Sequence, residues 1–320
     1  MNVSFIIPAR NEAALIPEAA ANIREFAPRE VPWELLIVDN GSTDSTFAAA
    51  ESLAGVRALR SSGTVGNARN EGVAASSGTV LIFLDADVRL TERWQREIGN
   101  VLAQLRASPR LLTGSTVTIP PSPSVIERHW FYPATLQERQ YINSGHLIMT
   151  RSFFGELRGF DTQLRTGEDF DLSRRGKAAG GTVQDNRALE AIHLGFPKTL
   201  AAFARRELWH GQGDGGSLKK VLQSKVALLS LGVAVLTLGG PLLSLVLGSW
   251  LPAVAGIGAA AALSLVCGAR RTRGFNPLSW LVNGSLYYVY FLARAAALLF
   301  RFDGWRQQRQ PAGHTAHIDR

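Results

Sequence analysis

The chain has 320 residues, enough for about two domains with sizeable cores. Charged residues make up 19% and hydrophobic residues 46%, whereas soluble proteins carry about 25% charged residues, so part of the chain is expected to meet a membrane. The one cysteine, Cys267, excludes an internal disulfide and a cysteine-based zinc site, while the net charge of +8 fits nucleic acid, anionic lipid or a phosphorylated substrate equally well.

The N-terminal part of the chain predicts alternating strands and helices. Short runs rich in Val, Ile, Leu and Phe predict strands at residues 3–7, 33–38, 56–59 and 80–84. Helical patterns lie between them, at residues 13–26, 45–53 and 66–75. This order predicts an α/β fold, Rossmann-like, with a mostly parallel sheet covered by helices on both faces. The first apolar run is too short for a signal peptide, so this part is expected in the cytosol.

Polar loops follow three of the predicted strands. They cover residues 8–12 after the first strand, 39–44 after the second and 85–87 after the fourth. Ligands of parallel sheets bind beyond the carboxyl ends of the strands, so three such loops at one edge are typical of a nucleotide site. The sequence contains neither Gly-x-Gly-x-x-Gly nor a Walker A motif, which weakens the dinucleotide and ATPase interpretations.

Taken in order, these motifs resemble the family 2 glycosyltransferases, which have the GT-A fold. The resemblance rests on residues 5–12, 38–44, 68–72, 85–87, 159–161 and 167–172, and it covers about residues 3–215. It implies an inverting enzyme that moves a sugar from a nucleotide-diphosphate donor to an acceptor. The alternative is a catalytically inactive GT-A module that binds nucleotide sugar or scaffolds a membrane glycan assembly.

The resemblance also implies a donor site and a metal site. A diphosphate leaving group needs a divalent metal or cationic side chains. Asp85 and Asp87 alternate about an apolar residue, so their carboxylates can meet at one Mg2+ or Mn2+ ion. The residues that the resemblance places around the donor are Pro8, Arg10, Glu12, Asp39, Arg69 and Asp85. Asp39 would accept an N–H of the base, and Arg10 has the alternative of a plain surface cation.

Two features closer to the membrane part each have two interpretations. In several GT-A enzymes a histidine late in the domain is a metal ligand, which predicts that role for His193, although a lone histidine is more often packed or solvated.

The second feature is a group of three residues, Arg205, Arg206 and Trp209. They lie near where processive family members have Gln-x-x-Arg-Trp, a motif that this chain lacks. They are predicted to hold the donor diphosphate. The alternative is an interfacial helix whose arginines meet lipid headgroups.

Three acidic residues compete for the role of general base: Glu168, Asp169 and Asp171. Gly167 precedes them and suits a helix start, where acidic side chains also stabilise the helix dipole. The resemblance assigns the base to the second acid of Glu-Asp, which is Asp169, and places Glu168 in the same catalytic group.

The C-terminal part predicts an α-helical membrane region. Residues 226–247 and 250–267 contain no charge and are long enough to form a membrane hairpin, with a basic linker at 216–225 before it. Residues 278–300 form a third apolar segment, which contains Arg294 and precedes a polar tail at 301–320. This segment is expected to lie in the interface, and the alternative is a third membrane span.

Basic residues flank the predicted hairpin on both sides, which predicts a multi-pass protein of the inner membrane with its catalytic domain, residues 1–215, in the cytosol. The expected partners are a nucleotide sugar, a lipid or glycan acceptor and the membrane. Nucleic acid is not expected, because the basic residues cluster beside the membrane segments.

Overall fold

The computed structural model describes residues 1–136, 140–164, 166–211, 218–271 and 276–299. They form two compact units: Met1–Pro120 with Thr135–Gly195, and Pro121–Ala134 with the described residues from Phe196 to Leu299. The predicted domain boundary at residue 215 stays a prediction. The predicted tail at 301–320 and the first two residues of the predicted linker, 216–217, lie outside the described residues.

The first unit is built on a seven-stranded sheet with the strand order β3-β2-β1-β4-β7-β6-β8, and β5 and β9 form a separate antiparallel ribbon. The strands are β1 Val3–Ala9, β2 Trp33–Asn40, β3 Val56–Ser61, β4 Val80–Leu84, β5 Val88–Leu90, β6 Leu111–Gly114, β7 His146–Thr150, β8 Thr182–Asp185 and β9 Ala191–His193. The first four strands are parallel, whereas β7 runs antiparallel to both β4 and β6. The predicted α/β class with a mostly parallel sheet is confirmed.

Helices cover both faces of this sheet. They are α1 Ile16–Phe26, α2 Thr46–Glu51, α3 Val65–Ala75, α4 Glu92–Ala107, α6 Arg151–Glu156 and α7 Glu168–Ala178. A π-helical turn, Glu127–Phe131, and the short helix α5, Tyr132–Thr135, come from the segment at 121–134 that groups with the second unit and from the residue after it. All of β1 is buried, with Phe5 and Ile7 in the core on one face and Ile6 in the core on the other. Both faces of the central strands are therefore covered, which explains their unbroken apolar runs.

The second unit consists mainly of helices. They are α8 Leu200–Gly211, α9 Leu218–Gln223, α10 Lys225–Leu247, α11 Leu251–Arg271 and α12 Pro277–Leu299. Helices α10 and α11 approach closely at Gly256. A Cβ at this position would lie only 2.4 Å from the carbonyl oxygen of Leu236, so the contact requires glycine. Both are long and apolar enough to cross a membrane. Large apolar side chains stay exposed on them, Leu245 by 82% for example, so they are unlike core helices of a soluble protein and consistent with a membrane region.

Candidate active site

The polar loops after β1 and β2 are tied together by hydrogen bonds. The Asn11 amide donates to Ser42 Oγ over 2.9 Å, and Asn11 Oδ1 accepts from the Thr43 amide over 2.8 Å. Asn11 holds a left-handed backbone conformation with φ of 57°, which asparagine tolerates better than most residues. The sequence interpretation gave Asn11 no role. Its place in the motif follows from these contacts, since it aligns two loops that come from neighbouring strands.

The residues predicted around the donor base and phosphates lie at this edge of the sheet. Pro8 is buried in β1, and Arg10 and Glu12 follow it in half-buried positions. Asp39 near the end of β2 is 3% exposed, and its Oδ1 accepts the Ser42 amide over 3.1 Å. The parallel order β2-β1-β4 brings the loop at 85–87 to the same edge.

Arg69 joins two acidic motifs that are far apart in the sequence. Its guanidinium, 1% exposed on α3, donates to Asp85 Oδ1 and to Glu168 Oε1, both over 2.8 Å. Ser144 Oγ also donates to Glu168 Oε1, over 3.2 Å. One cation thus neutralises part of the charge of two buried carboxylates, which would otherwise be costly to desolvate. Arg69 was predicted beside the donor, and its observed partners are these carboxylates.

The three acids at the start of α7 have different surroundings. The helix begins at Glu168 after Gly167, as the sequence predicted. Asp171 pairs with Arg174 and Arg175, each over 2.7 Å; burial raises the pKa of Asp171, but the hydrogen bonds from these arginines hold it below its ordinary value. Asp169 is fully buried, with Oδ1 accepting the amide of Phe170 over 2.8 Å. Asp171 therefore belongs to surface ion pairs of α7, while Glu168 belongs to the Arg69 group.

Asp87 and His193 meet because β5 and β9 pair in a register that sets Val88 opposite His193. His193 Nε2 lies 3.4 Å from Asp87 Oδ2, and both side chains are about 5% exposed. Burial raises the pKa of Asp87 to about 7, although its backbone hydrogen bond and Arg89 lower it. Across the described parts of the chain, His, Cys, Asp and Glu side chains form no group of three or more that could hold a metal ion. A carboxylate beside an imidazole still fits Mg2+ or Mn2+, which take their remaining ligands from substrate phosphates and water.

Two glycines make room for the aspartates, and the sequence interpretation missed both. A Cβ on Gly195 would lie 2.0 Å from Asp87 Oδ2, and a Cβ on Gly145 would lie 2.7 Å from Asp85 Oδ2. Neither has a positive φ, so it is space near the carboxylates that requires glycine here. No sequence signal could have found them, because each approaches an aspartate that is distant in the chain.

Arg205, Arg206 and Trp209 lie on α8, in the second unit. Arg206 is 6% exposed, and its Nη1 donates to Glu207 Oε1 over 2.6 Å. Arg205 is exposed, with Nε directed to the Ala201 carbonyl oxygen of its own helix over 3.4 Å. Trp209 is half-buried against the ring of His210. Their predicted role in donor binding stays a prediction.

Comparison with known proteins places these observations in a family. The family described as "Glycosyl transferase family 2" matches residues 4–164, which is half of the chain. The chain is similar to glycosyltransferase AglE of Haloferax volcanii, with 26% identity over 246 residues, covering 73% of this chain and 80% of the relative. A PGL/p-HBAD biosynthesis glycosyltransferase of Mycobacterium tuberculosis is 39% identical over 95 residues, which is 28% of this chain and 36% of that protein.

Solved structures share the fold. The mannosyltransferase PcManGT from Pyrobaculum calidifontis, solved with GDP-Man and Mn2+, matches 93% of this chain and 87% of its own, with a TM-score of 0.52 and 22% identity. GalNAc-T7, solved with UDP, GalNAc and Mn2+, matches 67% of this chain and 50% of its own, with a TM-score of 0.50 and 17% identity. The motifs, the sheet and these matches agree: the chain belongs to glycosyl transferase family 2, and it is a glycosyltransferase with the GT-A fold.

Proposed function

We propose that the chain is a metal-dependent, inverting glycosyltransferase that uses a nucleotide-diphosphate sugar and a lipid-linked or otherwise membrane-associated acceptor. The observation that carries the proposal is the Arg69 bridge between Asp85 and Glu168. It holds the acidic loop after β4 beside the acidic start of α7. A donor with its metal and an acceptor with its base must meet in the same way for direct displacement at the anomeric carbon.

The proposed donor site uses the edge formed by the loops after β1, β2 and β4. Asp39 would accept an N–H of the base, an interaction open to both uracil and guanine, and Arg10 would face the phosphates. Asp87, His193 and Asp85 would hold Mg2+ or Mn2+, the kind of ion present with nucleotide in the two solved neighbours. When bound, the ion supplies positive charge that stabilises the departing diphosphate.

Asp169 is the proposed general base. Glu168 is held by Arg69 and Asp171 by two arginines of α7, so both carboxylates are already committed to ion pairs. Asp169, between them in the chain, is fully buried, and its Oδ1 accepts the Phe170 amide over 2.8 Å. The family resemblance assigns the base to this second acid of Glu-Asp. In this role Asp169 would take the proton of an acceptor hydroxyl as the new bond forms.

The proposed site of action is the cytoplasmic face of the inner membrane. The exposed apolar helices α10 and α11 would form the membrane hairpin, with the basic flanks inside. We keep α12 in the interface, because an arginine such as Arg294 in a single spanning helix costs about 2.5–3.5 kcal/mol on insertion scales.

The test of the proposed function compares wild type with Asp169→Asn in membranes, with release of nucleoside diphosphate from each donor as the readout. The variant should fold and bind donor nucleotide but lose at least about 100-fold in turnover, the lower end of what a general base contributes. A near-normal rate would reject Asp169 as the base and would point to an acceptor phosphate, which is already ionised and needs no base.

A further inference from the structure

Three arginines of the second unit each lie over an aromatic ring. The guanidinium carbon is 5.0 Å from the ring centre for Arg206 over Phe131, 4.6 Å for Arg271 over Trp130 and 5.0 Å for Arg294 over Tyr290. These arginines come from α8, α11 and α12, and the rings of Trp130 and Tyr290 are themselves 5.4 Å apart. We call these three arginines, their three aromatic rings and Glu207 the arginine–aromatic cluster.

The arginine–aromatic cluster carries more positive than negative charge. Glu207, 1% exposed, accepts from Arg206 over 2.6 Å and from Arg294 over 3.0 Å, so two cations share one carboxylate. Arg271 donates only to neutral groups among its described contacts, the Trp130 carbonyl over 2.9 Å and the Tyr287 hydroxyl over 3.4 Å. Glu127 is the nearest further acid in sequence; its Oε2 accepts the Ser124 amide over 2.7 Å. Even when Glu127 is counted, a net positive charge remains.

The same residues leave hydrogen-bond donors without acceptors. Arg206 Nε and Nη2, Arg271 Nε and Trp130 Nε1 are buried and have no hydrogen-bond partner within the part of the chain that the structure describes. A donor that is buried without an acceptor destabilises the fold, because it has lost its hydrogen bond to water. Glu127 Oε1, on the same π-helical turn, lacks a donor too, so unpaired donors still outnumber this acceptor. Buried N–H donors that outnumber acceptors, together with a net positive charge, favour the binding of an anion.

We propose that the arginine–aromatic cluster binds the phosphate of a membrane lipid. Guanidinium groups suit phosphate because their N–H donors match its oxygens in a bidentate arrangement. The lipid source is favoured because Arg271 is the last residue of α11, a helix long and apolar enough to span the bilayer, and lipid phosphates lie just outside the hydrocarbon. The π-helical turn that supplies Trp130 and Phe131 is a form found frequently at functional sites.

This site is additional to the proposed sugar transfer and does not depend on it. For Arg206 it agrees with the alternative given in the sequence analysis, in which the arginines of α8 meet lipid headgroups. Nη1 of Arg206 already donates to Glu207. Lipid binding is measurable with no donor or acceptor present. A failure of the lipid site and a failure of the transfer reaction are therefore distinguishable.

The experiment measures retained lipid on the full chain by native mass spectrometry after extraction from phosphatidylcholine vesicles with and without phosphatidylglycerol. Arg271→Gln removes one cation at the edge of the cluster, and Trp130→Phe removes one unpaired donor while keeping a ring. The control is Arg270→Gln, which removes the same charge from the neighbouring position of α11 but has no described contact with the cluster. Thermal unfolding of each variant checks that it is folded.

Wild type and Arg270→Gln should retain phosphatidylglycerol equally. Arg271→Gln should lower that retention about tenfold or more, the worth of a charged hydrogen bond, and Trp130→Phe should lower it several-fold. If Arg270→Gln loses as much phosphatidylglycerol as Arg271→Gln, general surface charge explains the retention and the proposal is overturned. Inorganic pyrophosphate is the second probe: Arg271-dependent binding of pyrophosphate with no retained phospholipid would overturn the lipid assignment.

Discussion

Removing the guanidinium of Arg69 should destabilise the first unit more than removing any exposed charge. In Arg69→Gln, the carboxylates of Asp85 and Glu168, whose side chains are 4% and 2% exposed, lose the cation between them. Breaking a buried ion pair by deleting one partner costs about 3–5 kcal/mol, because the remaining charge stays desolvated and unpaired. For a unit of this size, that corresponds to a fall in Tm of about 6–20 °C.

The matched control is Arg110→Gln. Arg110 also donates to a carboxylate, that of Glu156, over 2.8 Å, but these side chains are 57% and 40% exposed. Exposed ion pairs contribute about 0–1 kcal/mol, so this variant should melt close to wild type and keep its activity. Both substitutions delete one arginine whose ion pairs are 2.8 Å long, two of them for Arg69 and one for Arg110. The main difference between the two sites is burial, since even two exposed pairs would contribute little.

A double variant tests the cause of the loss. Arg69→Gln combined with Glu168→Gln removes one of the two unpaired carboxylates, so it should be more stable than Arg69→Gln alone. Thermal unfolding of the purified full chain, followed by tryptophan fluorescence, gives the change in Tm of each variant. Comparing the double variant with the single variants gives the coupling between Arg69 and Glu168. If Arg69→Gln melts no lower than Arg110→Gln, or if the second substitution restores nothing, Arg69 does not hold this pair and the reasoning is refuted.

Three further outcomes are expected. Transfer should require Mg2+ or Mn2+ and stop in EDTA, and Asp87→Ala should lose nearly all activity. His193→Ala should raise the metal concentration for half-maximal activity. An unchanged metal titration of His193→Ala would show that His193 has only a packing role. Gly195→Ala should raise the metal concentration for half-maximal activity, because its Cβ would lie 2.0 Å from Asp87 Oδ2 and would displace that carboxylate. Gly99→Ala, which has open space around it, should behave as wild type. A reporter fused after Arg320 should give a cytoplasmic signal, and a periplasmic signal would contradict the interfacial placement of residues 278–300.

The sequence predicted the first half of the sheet well and the second half poorly. Unbroken apolar runs occur where a strand is buried on both faces, which is why the strand at 80–84 was found at its observed bounds. The apolar run His146–Thr150 also forms a central strand, but its direction is reversed relative to β4. Composition and periodicity carry no information on strand direction. The path of the chain through β6 and β7 decides it.

The candidate site shows the same division between local and distant information. Asp87 was predicted from its own motif, since alternating carboxylates after a strand are a local signal. The partner of Arg69 on α7 is 99 residues away, and Gly195 approaches Asp87 across the β5–β9 ribbon. Such pairings depend on the tertiary fold, so residue types alone did not reveal them.

Arg294 shows why the membrane part resists prediction one helix at a time. An arginine at the centre of a single spanning helix costs about 2.5–3.5 kcal/mol on insertion scales, and that cost favoured an interfacial segment. In the folded second unit, Arg294 donates to Glu207 of α8 over 3.0 Å, and α8 packs so closely on α12 that a Cβ on Gly211 would lie 2.6 Å from Ala297 Cβ. Glu207 therefore neutralises part of the charge of Arg294 from a helix outside the apolar segments. The depth of Arg294 in the membrane depends on α8 and α12 together. It follows that Glu207→Gln should weaken the packing of α12 more than a substitution on the exposed side of that helix, because it leaves two arginines without their shared carboxylate.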